Sequence, residues 1–198
     1  MEFKQAHALL VGVGEYQDSS VPAVPITIQD AQALKAVLVD PSLAGYPAEQ
    51  VSLLTGTSAT RLNILAALEK LAEDTNSEST VLILLCAHGV PAPNGGYYLL
   101  SHEARRKGLD FEADSVVTSQ ELLEALGKIK PKKMLIILNT CYSGIMAGSL
   151  DPSIQPPSNE LLGKILADGE GRVIISACRF NQSLILRQAR QTPYLLRV

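Results

Sequence analysis

Cysteine is scarce. Cys86, Cys141 and Cys178 are the only three, and none forms a Cys-x-x-Cys pair. An odd number of widely spaced thiols argues against a disulfide framework and against a thiolate zinc site. Long apolar runs are missing too: none approaches the roughly 20 residues that a membrane span requires. The N-terminus lacks the ordered regions of a signal peptide. A cytoplasmic setting without membrane contact is therefore expected. Charge of one sign is also absent, since 17 Lys+Arg against 20 Asp+Glu leave a formal net charge of −3. A weakly acidic chain argues against nucleic acid as partner. There is no internal repeat and no low-complexity tract. What is present is apolar content, 46% of the 198 residues, enough for the core of one domain of roughly 100–200 residues.

The apolar residues fall into segments. Strands are expected over residues 7–13, 50–54, 80–87, 97–100, 132–139 and 172–177, the first and third apolar throughout, as strands buried on both faces are. A loop with Pro and Ser covers 15–27. A helix over 28–39 carries Ile28, Ala31, Leu34 and Leu38 at helical spacing. A second helix, capped by Thr57 or Ser58, carries Leu62, Leu65, Leu68 and Leu71. A third occupies 118–127, where Thr118 and Glu121 fit a capping box. Residues 101–117 read as irregular, 144–159 as a long loop and 160–168 as a helix. Strand–helix alternation predicts an α/β three-layer sandwich around a mostly parallel sheet flanked by helices. Such sheets carry function beyond the carboxyl ends of their strands.

All three cysteines fall at carboxyl ends of predicted strands. Cys86 and Cys178 read as core thiols. Cys141 breaks into the turn Tyr142-Ser143-Gly144, and His88, followed by Gly89, ends another strand. Strand tips about 4.8 Å apart let two such side chains meet at one opening. A Cys/His pair supplies a nucleophile and a general base, and the base then protonates a leaving amine. The backbone N–H groups of Cys141 and Gly89 are candidate oxyanion donors. His7 and His102 read as structural or surface residues. Gly12 and Gly14 form an incomplete Gly-x-Gly-x-x-Gly pattern and read as sharp-turn glycines.

The segments LLCAHG (84–89) and NTCYSG (139–144) resemble the two catalytic motifs of the caspase-like cysteine peptidase clan, where a histidine lies roughly 50 residues upstream of the cysteine. They are most similar to the metacaspase and bacterial orthocaspase branch, which has GHG and DxCHSG. The segments ALLVGVGEY, ITIQDAQALKAVL and GRVIISACRFNQ resemble further parts of that pattern, which spans roughly residues 6–182. The resemblance implies a caspase-like fold, with Cys141 as nucleophile and His88 as general base of an endopeptidase working through an acyl-enzyme. It assigns Asp30 to the pocket for a basic P1 side chain, the residue preceding the scissile bond. Asn139 stands where the family has a second aspartate. One acid still pairs bidentately with Arg, so Arg is favoured over Lys. Tyr142 replaces the family's histidine and Ala87 its glycine.

The resemblance further implies a domain over 1–182 equivalent to a large catalytic subunit. Residues 183–198 are then an Arg-rich tail leading to a small-subunit chain or a C-terminal continuation. Protein or peptide substrates with a basic P1 residue are the expected partners. Arg105, Arg106, Lys107, Arg187, Arg190 and Arg197 are candidate self-processing positions of a zymogen. No cofactor is required, although several metacaspases need calcium. Asp110, Glu112 and Asp114 offer the hard oxygen ligands Ca2+ takes, without an EF-hand pattern. Two other readings stand beside the peptidase. One is a non-catalytic caspase-like interaction domain, for which Asn139 and Tyr142 speak. The other is a flavodoxin-like nucleotide-binding domain, suggested by the strand–helix order and the early glycines.

Overall fold

The computed structural model describes residues 4–93, 96–140 and 171–176. Apolar side chains on both faces of β1 (Ala6–Gly12), β3 (Thr80–Ala87) and β9 (Lys133–Thr140) suit these strands to the inside of a sheet. There they pair side by side, with β2 (Val51–Thr55) and β10 (Arg172–Ser176) outside them, in the order β10-β9-β3-β1-β2. All four pairings are parallel. Parallel neighbours need crossovers. The helices α1 (Ile26–Val39), α2 (Arg61–Asp74) and α3 (Ser119–Lys128) supply them.

Period-two alternation sends the two halves of each strand to different layers. Leu9, Val11, Val81, Ile83, Leu85, Met134, Ile136 and Leu138 pack with α2 and α3, through Ile64, Leu68, Leu122 and Leu126. Ala8, Leu10, Leu84 and Cys86 pack with Ala31 and Leu38 of α1. The chain is an α/β domain with a parallel central sheet between helical layers, as the alternation of segments predicts.

A second, antiparallel sheet includes the expected strand at 97–100 and adds a strand from the stretch expected to be irregular. It joins β4 (Gly89–Pro91), β5 (Tyr97–Leu100) and β8 (Val116–Thr118). The small hairpin of β6 (Arg106–Lys107) and β7 (Asp110–Phe111) turns through Gly108 at φ 65° and a fully exposed Leu109. These pieces share a satellite core of Val21, Tyr98, Leu100, Ala104, Phe111 and Val116. Two-residue strands leave no periodic trace in sequence, so 101–117 reads as irregular.

Helix ends follow local chemistry. The Thr118–Glu121 capping box forms as expected, with Thr118 Oγ1 accepting from Glu121 N and Glu121 Oε2 from Thr118 N. The cap of α2 is Thr60 rather than Thr57 or Ser58. Those two lie instead in a short 3-10 turn, Gly56–Ser58, closed by its own reciprocal bonds to Thr55. Helix α1 begins at Ile26, two residues ahead of the expected start, after Pro25 at φ −60°. Proline's fixed φ suits the entry to a helix.

Gly12 and Gly14 are not sharp-turn glycines, since neither has positive φ. A Cβ on Gly12 would lie 2.4 Å from the Thr27 carbonyl oxygen, and one on Gly14 2.7 Å from the Ile28 side chain. They let α1 close onto the end of β1. Overpacking of this kind costs roughly 1–3 kcal/mol. Gly12→Ala is therefore expected to lower stability by about that amount, read as a lower urea midpoint at unchanged m-value.

Candidate functional site

Beyond the carboxyl end of β3 the chain passes through His88, a half-buried residue held from two sides by the 15–25 loop. Its Nε2 lies 2.8 Å from the Pro22 carbonyl oxygen. A carbonyl only accepts, so this bond fixes the proton on Nε2 and leaves the Nδ1 lone pair as the basic position. Its backbone N–H donates to the Tyr16 hydroxyl at 3.0 Å, and that hydroxyl donates in turn to the Val13 carbonyl at 3.3 Å. The Tyr16 ring stacks on the imidazole, centroids 5.4 Å apart at 28°. Gly89 follows, opposite Leu99 in β5. The neighbouring bond from Leu100 N to His88 O places Gly89 at a non-hydrogen-bonded position of the ladder. Its N–H therefore turns away from β5, as an oxyanion donor requires.

The next strand, β9, runs in register with β3, pairing Cys86 with Asn139 and Ala87 with Thr140. Cys141 follows Thr140 in the chain and lies outside the described residues, as does Cys178. So do the candidate processing positions Arg187, Arg190 and Arg197, the predicted loop 144–159, the helix 160–168 and the tail 183–198.

Asp30 of α1 and Asn139 of β9 both act on Cys86, which packs on the α1 face of the sheet: Asn139 through a side-chain hydrogen bond, Asp30 through its charge. Asp30 is in the second turn of α1 and 3% exposed, so a dipole effect in the first turn is not its role. Its Oδ2 has no hydrogen-bond partner. Burial pushes its carboxyl up to about 6. Asn139 is 5% exposed; its side chain hydrogen-bonds Cys86, and its Oδ1 is without a partner. Two buried acceptor oxygens, each acting near Cys86, thus stand unpaired, an arrangement suited to a ligand rich in N–H donors. Cys86 is buried, and burial first, then the nearby Asp30, pushes its thiol up to about 12. It packs as expected and is not a nucleophile.

The calcium candidates do not converge. Glu112 and Asp114 are ion-paired to Arg105, at 2.6 and 3.1 Å, and Asp110 pairs through β7 with Lys107. No group of three or more metal-ligating side chains occurs among the described residues. Of the candidate processing positions, Arg105 is locked in those ion pairs. The Arg106 N–H is tied to Asp18, and its guanidinium lies over the Phe111 ring. Lys107 is exposed beside Gly108. His102 is buried, with Nδ1 2.8 Å from the Glu15 carbonyl. No described helix is long and apolar enough to cross a membrane.

Tyr16 and Pro22 are contributors that sequence reasoning missed. Tyr16 had a signal in its place just after the first strand; Pro22 acts through a main-chain carbonyl, which carries none.

No family model matches the chain, and no curated protein does. Solved structures do. Protein GSU0716 from Geobacter sulfurreducens is similar at TM-score 0.58 and 17% identity, over 90% of this chain and 74% of that one. Raptor from Chaetomium thermophilum is similar at TM-score 0.50 and 12% identity, over 95% of this chain but 17% of that one. At such identities the likeness is one of fold.

The raised acid at Asp30 has a consequence for stability. Its folded value of about 6 lies above the ordinary 3.8, so the folded state holds the proton more tightly. That contribution is fully present below about pH 3.8 and is lost as pH rises through about 6. Asp30→Asn is expected to stabilise the protein by about 2–3 kcal/mol at pH 8, the gain shrinking toward pH 4. Urea unfolding of both proteins across that range checks it.

Proposed function

We propose that this chain is the catalytic part of a caspase-like cysteine endopeptidase that cuts after Arg, and less readily after Lys. One observation carries the reading. His88 directly follows β3 with Nε2–H committed to Pro22 and Nδ1 left basic, one strand from the segment that leads into Cys141. Ala87 and Thr140, the residues just before His88 and Cys141, are ladder partners. On this reading His88 takes the Cys141 proton, the thiolate attacks the scissile carbonyl, and the N–H of Gly89 helps to hold the oxyanion. The imidazolium then protonates the departing amine, and a water activated by His88 releases the acid from the acyl-enzyme. Asp30 and the Asn139 oxygen receive the P1 guanidinium. The parallel order β10-β9-β3-β1-β2 supports a caspase-like sheet. In this reading a small-subunit chain or C-terminal continuation completes the substrate cleft.

A second reading is a caspase-like domain that binds a basic side chain without cutting. The described residues that speak for binding, Asp30 and Asn139 with their unpaired oxygens, are more complete than those that speak for hydrolysis. The nucleotide-binding reading rests on Gly12 and Gly14, against which α1 packs closely.

Fluorogenic peptides with Arg, Lys or Asp at P1, offered to the purified chain, separate the readings. Turnover of the Arg peptide is expected, lost on Cys141→Ala and reduced roughly 100- to 10,000-fold on His88→Ala. Asp30→Asn should lower kcat/KM for it on the order of 100-fold, since unpairing a buried charge costs about 2–5 kcal/mol. Turnover that survives Cys141→Ala would falsify the peptidase. Arg-peptide binding with neither turnover nor labelling of Cys141 by a peptidyl electrophile would establish the binding domain instead.

A further inference from the structure

Both contacts that set the His88 ring come from the 15–25 loop, so whatever fixes that loop fixes the imidazole. The loop has little core of its own beyond Val21. Asp18 organises it. One carboxylate oxygen accepts the Ser20 N–H at 2.9 Å, and the Asp18 carbonyl accepts the Val21 N–H at 3.0 Å, closing a turn directly before Pro22. The other carboxylate oxygen accepts the Arg106 N–H at 2.9 Å, from the β6–β7 hairpin 88 residues further along. The Arg106 N–H first, then the Ser20 hydroxyl and N–H, hold the Asp18 carboxyl down at about 2, so it stays ionised across the working range of pH. His102 steadies the start of the loop, through its Nδ1 to Glu15 and its carbonyl to Gln17 N.

We infer that Asp18 is a positioning residue for His88. By tying the loop to β6 it keeps the Pro22 carbonyl on Nε2 and the Tyr16 ring against the imidazole. It touches neither the reacting atoms nor His88 itself. The inference rests on the reading of His88 as general base for its catalytic consequence, but not for its structural one. An exposed hairpin far along the chain thereby controls which nitrogen of His88 carries the proton.

The test uses the full chain labelled with 15N, whose three histidines are resolved by their ring nitrogens. In the parent protein His88 should show one tautomer, protonated on Nε2. Asp18→Asn puts an N–H donor in place of one acceptor oxygen. It should drive the two His88 nitrogens toward tautomeric averaging while those of His7 stay put. Arg106→Pro removes the same bond from the hairpin side without changing the loop, and should do the same. Because both break one bond, the double variant should shift no further than either single one. In peptide hydrolysis each should lower kcat roughly 10-fold at similar KM, the effect of a displaced catalytic group. Unchanged His88 nitrogens in both variants would overturn the inference, even if stability or turnover fell. Absence of Cys141-dependent turnover in the parent would overturn the peptidase reading alone, and the ring nitrogens would still decide the role of Asp18.

Discussion

The register of β3 against β9 is the constraint on which the site depends. Cys86 opposite Asn139 and Ala87 opposite Thr140 follow from eight consecutive ladder pairs. A slip of β9 by one residue against β3 would turn Leu138 away from the α2–α3 layer and carry polar Asn139 into it. Burial on both faces thus enforces the register. Fixed this way, alternation sends Asn139, with Cys86, to the α1 side, and Thr140 to the α2–α3 side. The two strand tips that lead into His88 and Cys141 are aligned by the packing of the residues before them.

The imidazole is held in an unusual balance. A histidine acting as base needs an acceptor on its other nitrogen to set the tautomer. Here the acceptor is the neutral Pro22 carbonyl rather than a carboxylate. A carbonyl dipole orients the ring but stabilises an imidazolium less than a full negative charge does. The Tyr16 stack and hydroxyl then carry more of the orientation. Val21 and Tyr16 of the loop pack on the satellite core around Tyr98 and Phe111.

The parallel strands were legible because burial on both faces writes unbroken apolar runs. The α3 cap was legible because Thr118 and Glu121 state both halves of a reciprocal bond. His88 and Gly89 could be placed at a strand end for the same reasons. Of the antiparallel sheet only β5 could be read; β4, β8 and the hairpin could not, because two- and three-residue strands have no period and take their pairing from distant partners. Gly12 and Gly14 misled in a specific way. Glycine marks both turns and close approaches, and only the partner, α1, tells them apart. The His88–Pro22 bond was invisible because a carbonyl oxygen is common to every residue type.

The substitution at Asn139 bears on how a buried acid can serve at neutral pH. Asp30 alone, without a partner, has its carboxyl raised to about 6 by burial. A second carboxylate at residue 139 would share the same face and push one of the two higher still, as paired acids do. On the proposed reading, one acid with an amide keeps the pocket at a single negative charge, mostly ionised above pH 6 and neutral once a guanidinium enters. The amide oxygen still accepts one of the guanidinium's five N–H groups. A single acid therefore attracts less strongly at long range than two. It leaves no unpaired charge when filled, and it favours a planar fork of donors over the compact ammonium of lysine.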